Sequence, residues 1–323
     1  ILWIGGGDVI QETISLGSLI LFTQFIDMFI RPIRVLGEQY NVIFRAMASA
    51  ERIFQALDWD EQIREPEAPL ALPDRLSGAI RVEALTFGYE PNQPILKKLN
   101  LAIAPGEKIA IVGPTGSGKS TLIRLLTRSY DFPDDSIFLD DIDLNRIRSS
   151  EIRRRIGVVL QDFHIFAGSV LDNIQLGNPA ITREDAINAA RWVQAHDFIQ
   201  ALPNGYDTQL HERGQNLSQG QRQLLSFARV LASDPEILVL DEATASIDTE
   251  TEQKIQIALQ HLTRGRTAIL IAHRLQTIQA ADRIVVLKHG EIREVGTHAE
   301  LMQLQGLYYT LTQLQFQDVS RSP

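Results

Sequence analysis

The 323-residue chain is 44% apolar and 22% charged, an ordinary globular composition with room for two domains. It contains no Cys, which excludes disulfides, thiolate metal sites, iron–sulfur clusters and cysteine nucleophiles. With 31 Lys and Arg against 40 Asp and Glu, a net charge of -9, it has no overall basic field for nucleic acid. It begins at Ile1 rather than Met, so it is expected to be a piece of a longer polypeptide.

The first sixty residues stand apart. No Lys or Arg occurs before Arg31, while Arg31, Arg34, Arg45 and Arg52 follow closely, the asymmetry of a membrane helix with its C-terminal end in the cytoplasm. The uncharged run TISLGSLILFTQFI falls short of the ~18 residues that indicate a span, and a buried soluble helix fits it as well. Beyond Pro32, the apolar positions Leu36, Tyr40, Ile43, Met47, Ala50, Phe54 and Leu57 recur in steps of three and four, the seam of one helix. This helix is expected to pack against other helices. Residues 58–79, with Pro66, Pro69 and Pro73 among many carboxylates, read as an exposed linker.

From Ile80 to the end, short apolar runs alternate with helical stretches. Those at Ile109–Val112, Ile237–Leu240 and Ala268–Ile271 are apolar throughout, as expected of parallel strands buried on both faces in an α/β domain. RIVVLK and EIREV flank His289 and Gly290 as a hairpin. A helical subdomain is expected over about 162–235. Arg153 to Arg155 read as a solvated basic face, not a nucleic-acid patch.

The strongest local motif is GPTGSGKST, Gly113 to Thr121, between the strand KIAIV and the helical run LIRLLTR. In this phosphate-loop pattern Gly113, Gly116 and Gly118 free the backbone. The amides of Thr115, Ser117 and their neighbours then meet a polyphosphate at a helix N-terminus. Lys119 neutralises the outer phosphates and Ser120 offers its hydroxyl to magnesium. Farther along, ILVLDEATASID places Asp241 and Glu242 at the end of a buried strand, where ligands of open α/β sheets gather. Beside the phosphate loop, Asp241 suits the metal and Glu242 the attacking water; alone, the pair reads first as helix caps. Ser218 is an N-cap for a helix to about Ala232.

LSQGQ before RQLLSFARVL, with its spacing from the phosphate loop and from Asp241–Glu242, resembles the signature of ATP-binding cassette (ABC) proteins. The resemblance spans essentially the whole chain. It implies a RecA-like α/β P-loop core with antiparallel β and helical subdomains over 80–323. It also implies that Ile14–Leu57 is the last transmembrane helix of an exporter and its cytoplasmic extension. Tyr89 corresponds to the adenine-stacking aromatic, Gln161 to the Q-loop and a metal ligand, Asp248 to the D-loop, and His273 to the switch histidine. Glu212 matches the exporter X-loop, and Ser218, Gln219, Gly220 and Gln221 form the signature. The family further implies ATP and magnesium as cofactors and head-to-tail dimerisation. A membrane location, with this domain cytoplasmic, follows as well.

DNA-associated ABC ATPases insert a long coiled coil between phosphate loop and signature, and only about a hundred residues separate Ser120 from Ser218. Importer subunits lack a fused membrane helix, and no NKxD guanine motif is present. Gln219 stands where the family usually has Gly. With Glu242 and His273 retained, this favours a heterodimeric exporter in which the chain presents an atypical signature to its partner's site. The cargo is unreadable, because most membrane helices lie outside the sequence.

Overall fold

In the computed structural model, the described residues are 2–11, 13–58, 63–90, 92–160, 164–241, 249–271 and 275–316. They fall into two compact units, Ile1–Gln62 and Ile63–Pro323.

The first unit is helical, α1 (Leu2–Ile10) and α2 (Leu16–Leu57). Ser15 caps α2 by accepting from the Ser18 amide, and Pro32 sits inside it. The expected seam is present, yet Leu36, Tyr40, Ile43, Met47, Phe54 and Leu57 are all exposed within this unit. Leu19 is the one buried residue of α2. No described helix is long and apolar enough to cross a membrane. The helix anticipated within 14–57 is present as α2. Asp27, Arg31 and Pro32 interrupt its apolar N-terminal half.

The second unit runs β1 (Ile80–Phe87), β2 (Leu96–Ile103), β3 (Lys108–Val112), α3 (Lys119–Leu126), β4 (Ile137–Leu139), β5 (Ile142–Asp143), α4 (Ser149–Arg155) and β6 (Ile156–Val159). Then come β7 (Gly168–Ser169), α5 (Val170–Gln175), α6 (Arg183–Trp192), α7 (His196–Gln200), β8 (Gln209–Leu210) and α8 (Gln219–Ala232). It ends with β9 (Ile237–Asp241), α9 (Thr249–Thr263), β10 (Thr267–Ile271), α10 (Leu275–Gln279), β11 (Arg283–Lys288), β12 (Glu291–Gly296), α11 (His298–Leu304) and α12 (Leu307–Phe316). The central sheet has the order β12-β11-β3-β10-β9-β6, parallel except for β12, and a second, antiparallel sheet runs β2-β1-β4-β5.

Strand periodicity explains the layers. Ile109, Ile111, Ile237, Val239, Ile269 and Ile271 point into the core shared with the antiparallel sheet and α3. The intervening Leu238, Leu240, Ala268 and Leu270 point into a core built with α5, α6, α8 and α9, while Ala110 and Val112 face α10, α11 and α12. Each Ile, Val or Leu among them contributes about 1.5–3 kcal/mol when fully buried, which is why these runs contain no polar residue.

The stretch anticipated as a linker over 58–79 is different from Ile63 onward, where the chain is strapped to the second unit. Arg64 O accepts from Arg128, Glu65 accepts from the amide and hydroxyl of Ser149, and the Leu70 amide donates to Arg146 O. Arg155 donates to Pro73 O and Asp74 O and pairs with Glu236 at 2.7 Å, so it is not on the solvated face expected of it. The Asp140 carboxylate accepts from Ser77, Gly78 and Ala79. Prolines remove amide donors without preventing carbonyls and flanking amides from being held, and so this composition serves a docked segment equally well.

Candidate nucleotide site

Four parallel strands, β3, β10, β9 and β6, end on one edge of the central sheet. After β3 the chain turns through Gly113 to Gly118 and enters α3 at Lys119. Gly116 and Gly118 have φ of 77° and 105°, left-handed values that glycine alone tolerates without cost. A Cβ at Gly113 would collide with Leu287 O of β11. The loop is braced from outside by the β11–β12 turn, where the Gly290 amide donates to Ser117 O at 3.1 Å and Gly290 O accepts from Lys97. Gly290 itself has no room for a side chain, because a Cβ would meet Ile95 O. The hairpin was legible in the sequence; its bracing of the phosphate loop was not.

Ser117 and Thr121 are buried, whereas Thr115, Gly116 and Ser120 are exposed at the open N-terminal end of α3. Lys119 Nζ donates to Gly113 O at 2.7 Å and Pro114 O at 3.1 Å, with Ser117 Oγ at 3.4 Å. Burial pushes its pKa below the ordinary lysine value, and the nearby Asp241 carboxylate opposes that shift. Lys119 and Asp241 therefore share one electrostatic site, although β10 separates their strands. Tyr89, just after β1, is partly exposed; its hydroxyl lies 3.3 Å from Thr121 Oγ1 and accepts from Arg124 at 3.4 Å. Its ring meets Phe87 and Tyr130 edge-on at 5.4 and 5.0 Å. Arg124 and Tyr130, absent from the sequence reading, thus fix the aromatic beside the phosphate loop.

Gln161, Glu242, Asp248 and His273 lie outside the described residues. The described strands β6, β9 and β10 end on the phosphate-loop edge at Val159, Asp241 and Ile271. Glu212 opens a short 3-10 turn before the signature.

Ser218 caps α8 as expected: its Oγ accepts from the Gln221 amide at 3.2 Å and its amide donates to Gln221 Oε1 at 2.9 Å. Gln219 and Gly220 form the first turn, whose amides and dipole favour an anion. Among the described residues no hydrogen bond joins this turn to the phosphate loop. α8 packs into the helical core while α3 packs into the core beneath the antiparallel sheet. One chain therefore assembles Gly113 to Thr121, Tyr89 and Asp241, but leaves Ser218 to Gln221 apart.

The site's oxygen donors, Ser120 and Asp241, fit a hard cation such as magnesium. Among the described residues no group of three or more His, Asp or Glu could hold a metal. A two-ligand site completed by phosphate and water is the arrangement that such a donor set can support.

Residues 96–245 match the family model for ABC transporters. These residues are an ATPase domain of the ABC transporter family. The chain is similar to the ABC transporter ATP-binding protein YknV of Bacillus subtilis, 44% identical over 98% of this chain and 52% of that protein. It also resembles the ATP-dependent lipid A-core flippase of Chromohalobacter salexigens, 41% identical over 98% of this chain and 55% of the flippase. Among solved structures, a bacterial Atm1-family ABC exporter with ATP bound aligns with a TM-score of 0.75 and 36% identity, over 94% of this chain and 53% of that one. The ABC chain in hand thus spans about half the length of these relatives. It carries the family's ATPase domain, preceded by a helical unit.

Proposed function

We propose that this chain is the ATP-hydrolysing half of an exporter-type ABC transporter, coupling nucleotide-driven dimer closure to movement of a substrate across a membrane. The observation that carries this is the braced phosphate loop with Lys119 and Asp241 in one electrostatic site. Phosphate oxygens replace the loop carbonyls as partners of Lys119 Nζ, while the amides of Gly116 to Ser120 cradle the polyphosphate. Ser120, Asp241 and Gln161 would hold magnesium, which would supply charge neutralisation for the outer phosphates. Glu242 orients and deprotonates the attacking water. His273 hydrogen-bonds the γ-phosphate as charge develops, and Tyr89 packs against the base.

Because Ser218 to Gln221 stand apart from the chain's own phosphate loop, their α8 N-terminus completes the cage on a partner's nucleotide in a head-to-tail dimer. A heterodimer is favoured. Gln219 occupies the first helical position, where glycine would let the backbone approach the γ-phosphate with no side chain between. Residues 1–57 form the end of the transporter's helical membrane domain, whose other helices and lipid cover the exposed seam of α2. The nucleotide-binding domain is then cytoplasmic. Similarity to the flippase and the Atm1-family exporter extends over 94–98% of the chain and so includes the helical unit, which disfavours a soluble or importer-type ATPase.

ATP turnover by the full-length protein tests the proposal. Glu242→Gln is expected to keep nucleotide binding and reduce turnover to about one per cent or less, the effect of losing ~2.7–4 kcal/mol of transition-state stabilisation. Unchanged turnover would remove Glu242 from the chemistry.

A further inference from the structure

Arg229 lies in the last turn of α8 and lines a cavity of about 690 Å³ that is also bordered by α3, β6 and α5. Its guanidinium is half-buried, and its hydrogen-bond partners among the described residues are all neutral oxygens. Nε donates to Asn173 O at 2.8 Å, Nη1 to His164 O at 2.8 Å and Nη2 to Asn173 Oδ1 at 3.2 Å. Burial pushes its pKa down to about 10. The same guanidinium lies over the Phe166 ring, 5.8 Å from the centroid. Asn173, 1% exposed, grips the same segment from the other side: its Oδ1 accepts from the Phe166 amide and its Nδ2 donates to Phe166 O, both at 2.9 Å. A planar fork can hold two carbonyl groups in different directions, which an ammonium cannot do with fixed geometry.

These bonds belong to a closed circuit. Ile165 O accepts from the Arg213 amide at 3.0 Å, tying 164–166 to the turn that precedes the signature. Arg222, one turn into α8, donates from Nη1 to Gly214 O and Leu217 O, both at 3.3 Å. Arg222 and Arg229 are seven residues apart and thus share a face of α8; Ser218 lies on that side too, roughly 16 Å from Arg229 along the axis. The chain 164–166, the turn at 213–217 and both ends of α8 are therefore linked in a ring. Gly214 admits this closeness: its φ is 62°, and a Cβ would press on Ile165 and Arg222.

We propose that Arg229 is a positioning residue that fixes segment 164–166 to α8, so that this segment and the Ser218 cap move as one rigid body. The inference rests on the ATPase reading only for its kinetic consequence. A half-buried cation with no carboxylate partner among the described residues costs solvation, and a Met or Leu would fill the same volume without that cost. What the arginine adds is a mechanical connection from the core-facing cavity to the far end of α8, where the signature amides are displayed. Displacement at 164–166 then reorients Ser218 rather than merely bending a loop.

The absence of Cys allows a direct test in the full-length protein. Spin labels on cysteines introduced at the exposed Ala167 and Asn216 should give one narrow distance distribution, the same with ADP and with a non-hydrolysable ATP analogue. In Arg229→Lys that distribution should broaden. Turnover per folded molecule should fall about tenfold or more, with KM for ATP and nucleotide affinity changed less than about twofold. Arg222→Lys, which opens the ring at its other side, should act similarly, and the double variant should be no worse than the poorer single. A distance that shifts between nucleotide states in the unmodified protein, or Arg229→Lys with unchanged turnover per folded molecule, would overturn the proposal. A purely structural role would lower the folded fraction and leave that turnover intact. Failure of the ATPase reading is seen separately, as absence of Lys119-dependent hydrolysis in the unmodified protein, and leaves the distance test standing.

Discussion

Glu65 illustrates chemistry that residue type alone does not reveal. In the sequence it is one carboxylate among several in a proline-rich stretch; in the structure its pKa is lowered, foremost by the Ser149 hydroxyl, which outweighs desolvation, with the Ser149 amide and the Arg128 charge adding to the lowering. A carboxylate with a depressed folded pKa stabilises the fold above its ordinary value of 4.5, and that contribution disappears as pH falls through the folded value. Glu65→Gln should accordingly lower stability at neutral pH and flatten the acid limb of a thermal-stability profile below about pH 4.5, so that variant and unmodified protein converge as pH falls. An equally steep limb in the variant would contradict this. Lys119, Ser120 and Asp241 were legible because their motifs are local, with strand, turn and helix cues inside a dozen residues. Arg128 and Arg155 were not, because their partners, Arg64 O and Glu236, lie 64 and 81 positions away. Gly290 was read as a hairpin residue; nothing in its surroundings signals that its amide holds Ser117.

At the scale of elements, apolar runs and capping residues predicted the parallel strands and the start of α8 well, since burial on both faces and an Ser-x-x-Gln box have few other solutions. Prolines and acidic residues in 58–79 misled because a docked strap and a free linker share a composition, and the distinction depends on a receiving surface that only the fold supplies. Asp140 is the centre of that surface, taking donors from Ser77, Gly78 and Ala79. Asp140→Ala should lower the unfolding free energy by about 1–3 kcal/mol and expose residues 63–79 to limited proteolysis. A variant as resistant as the unmodified protein would show that the strap is held elsewhere. The long helix over 14–57 was also legible, as a 3.6-residue periodicity, but periodicity cannot tell a lipid-facing surface from one covered by other helices.

For the whole molecule, the decisive feature is that one chain assembles phosphate loop, Tyr89 and Asp241 while its signature turn sits in a separate core. The heterodimer proposal follows from Gln219 at that turn, and it predicts that the full-length chain purified alone has little cooperative ATPase activity until a second half-transporter with a glycine at that position is added. Robust cooperative hydrolysis by a stable homodimer would contradict it. The central claim, that Gly113 to Thr121 is an ATP site served by Lys119, is tested most directly by equilibrium binding of magnesium-ATP to the full-length protein and to Lys119→Ala. The account predicts saturable binding to the unmodified protein, with affinity reduced by about a hundredfold or more in the variant, since a half-buried ammonium facing the outer phosphates is worth on the order of 3 kcal/mol. Binding of equal affinity in both proteins, or none in the unmodified one, would contradict it.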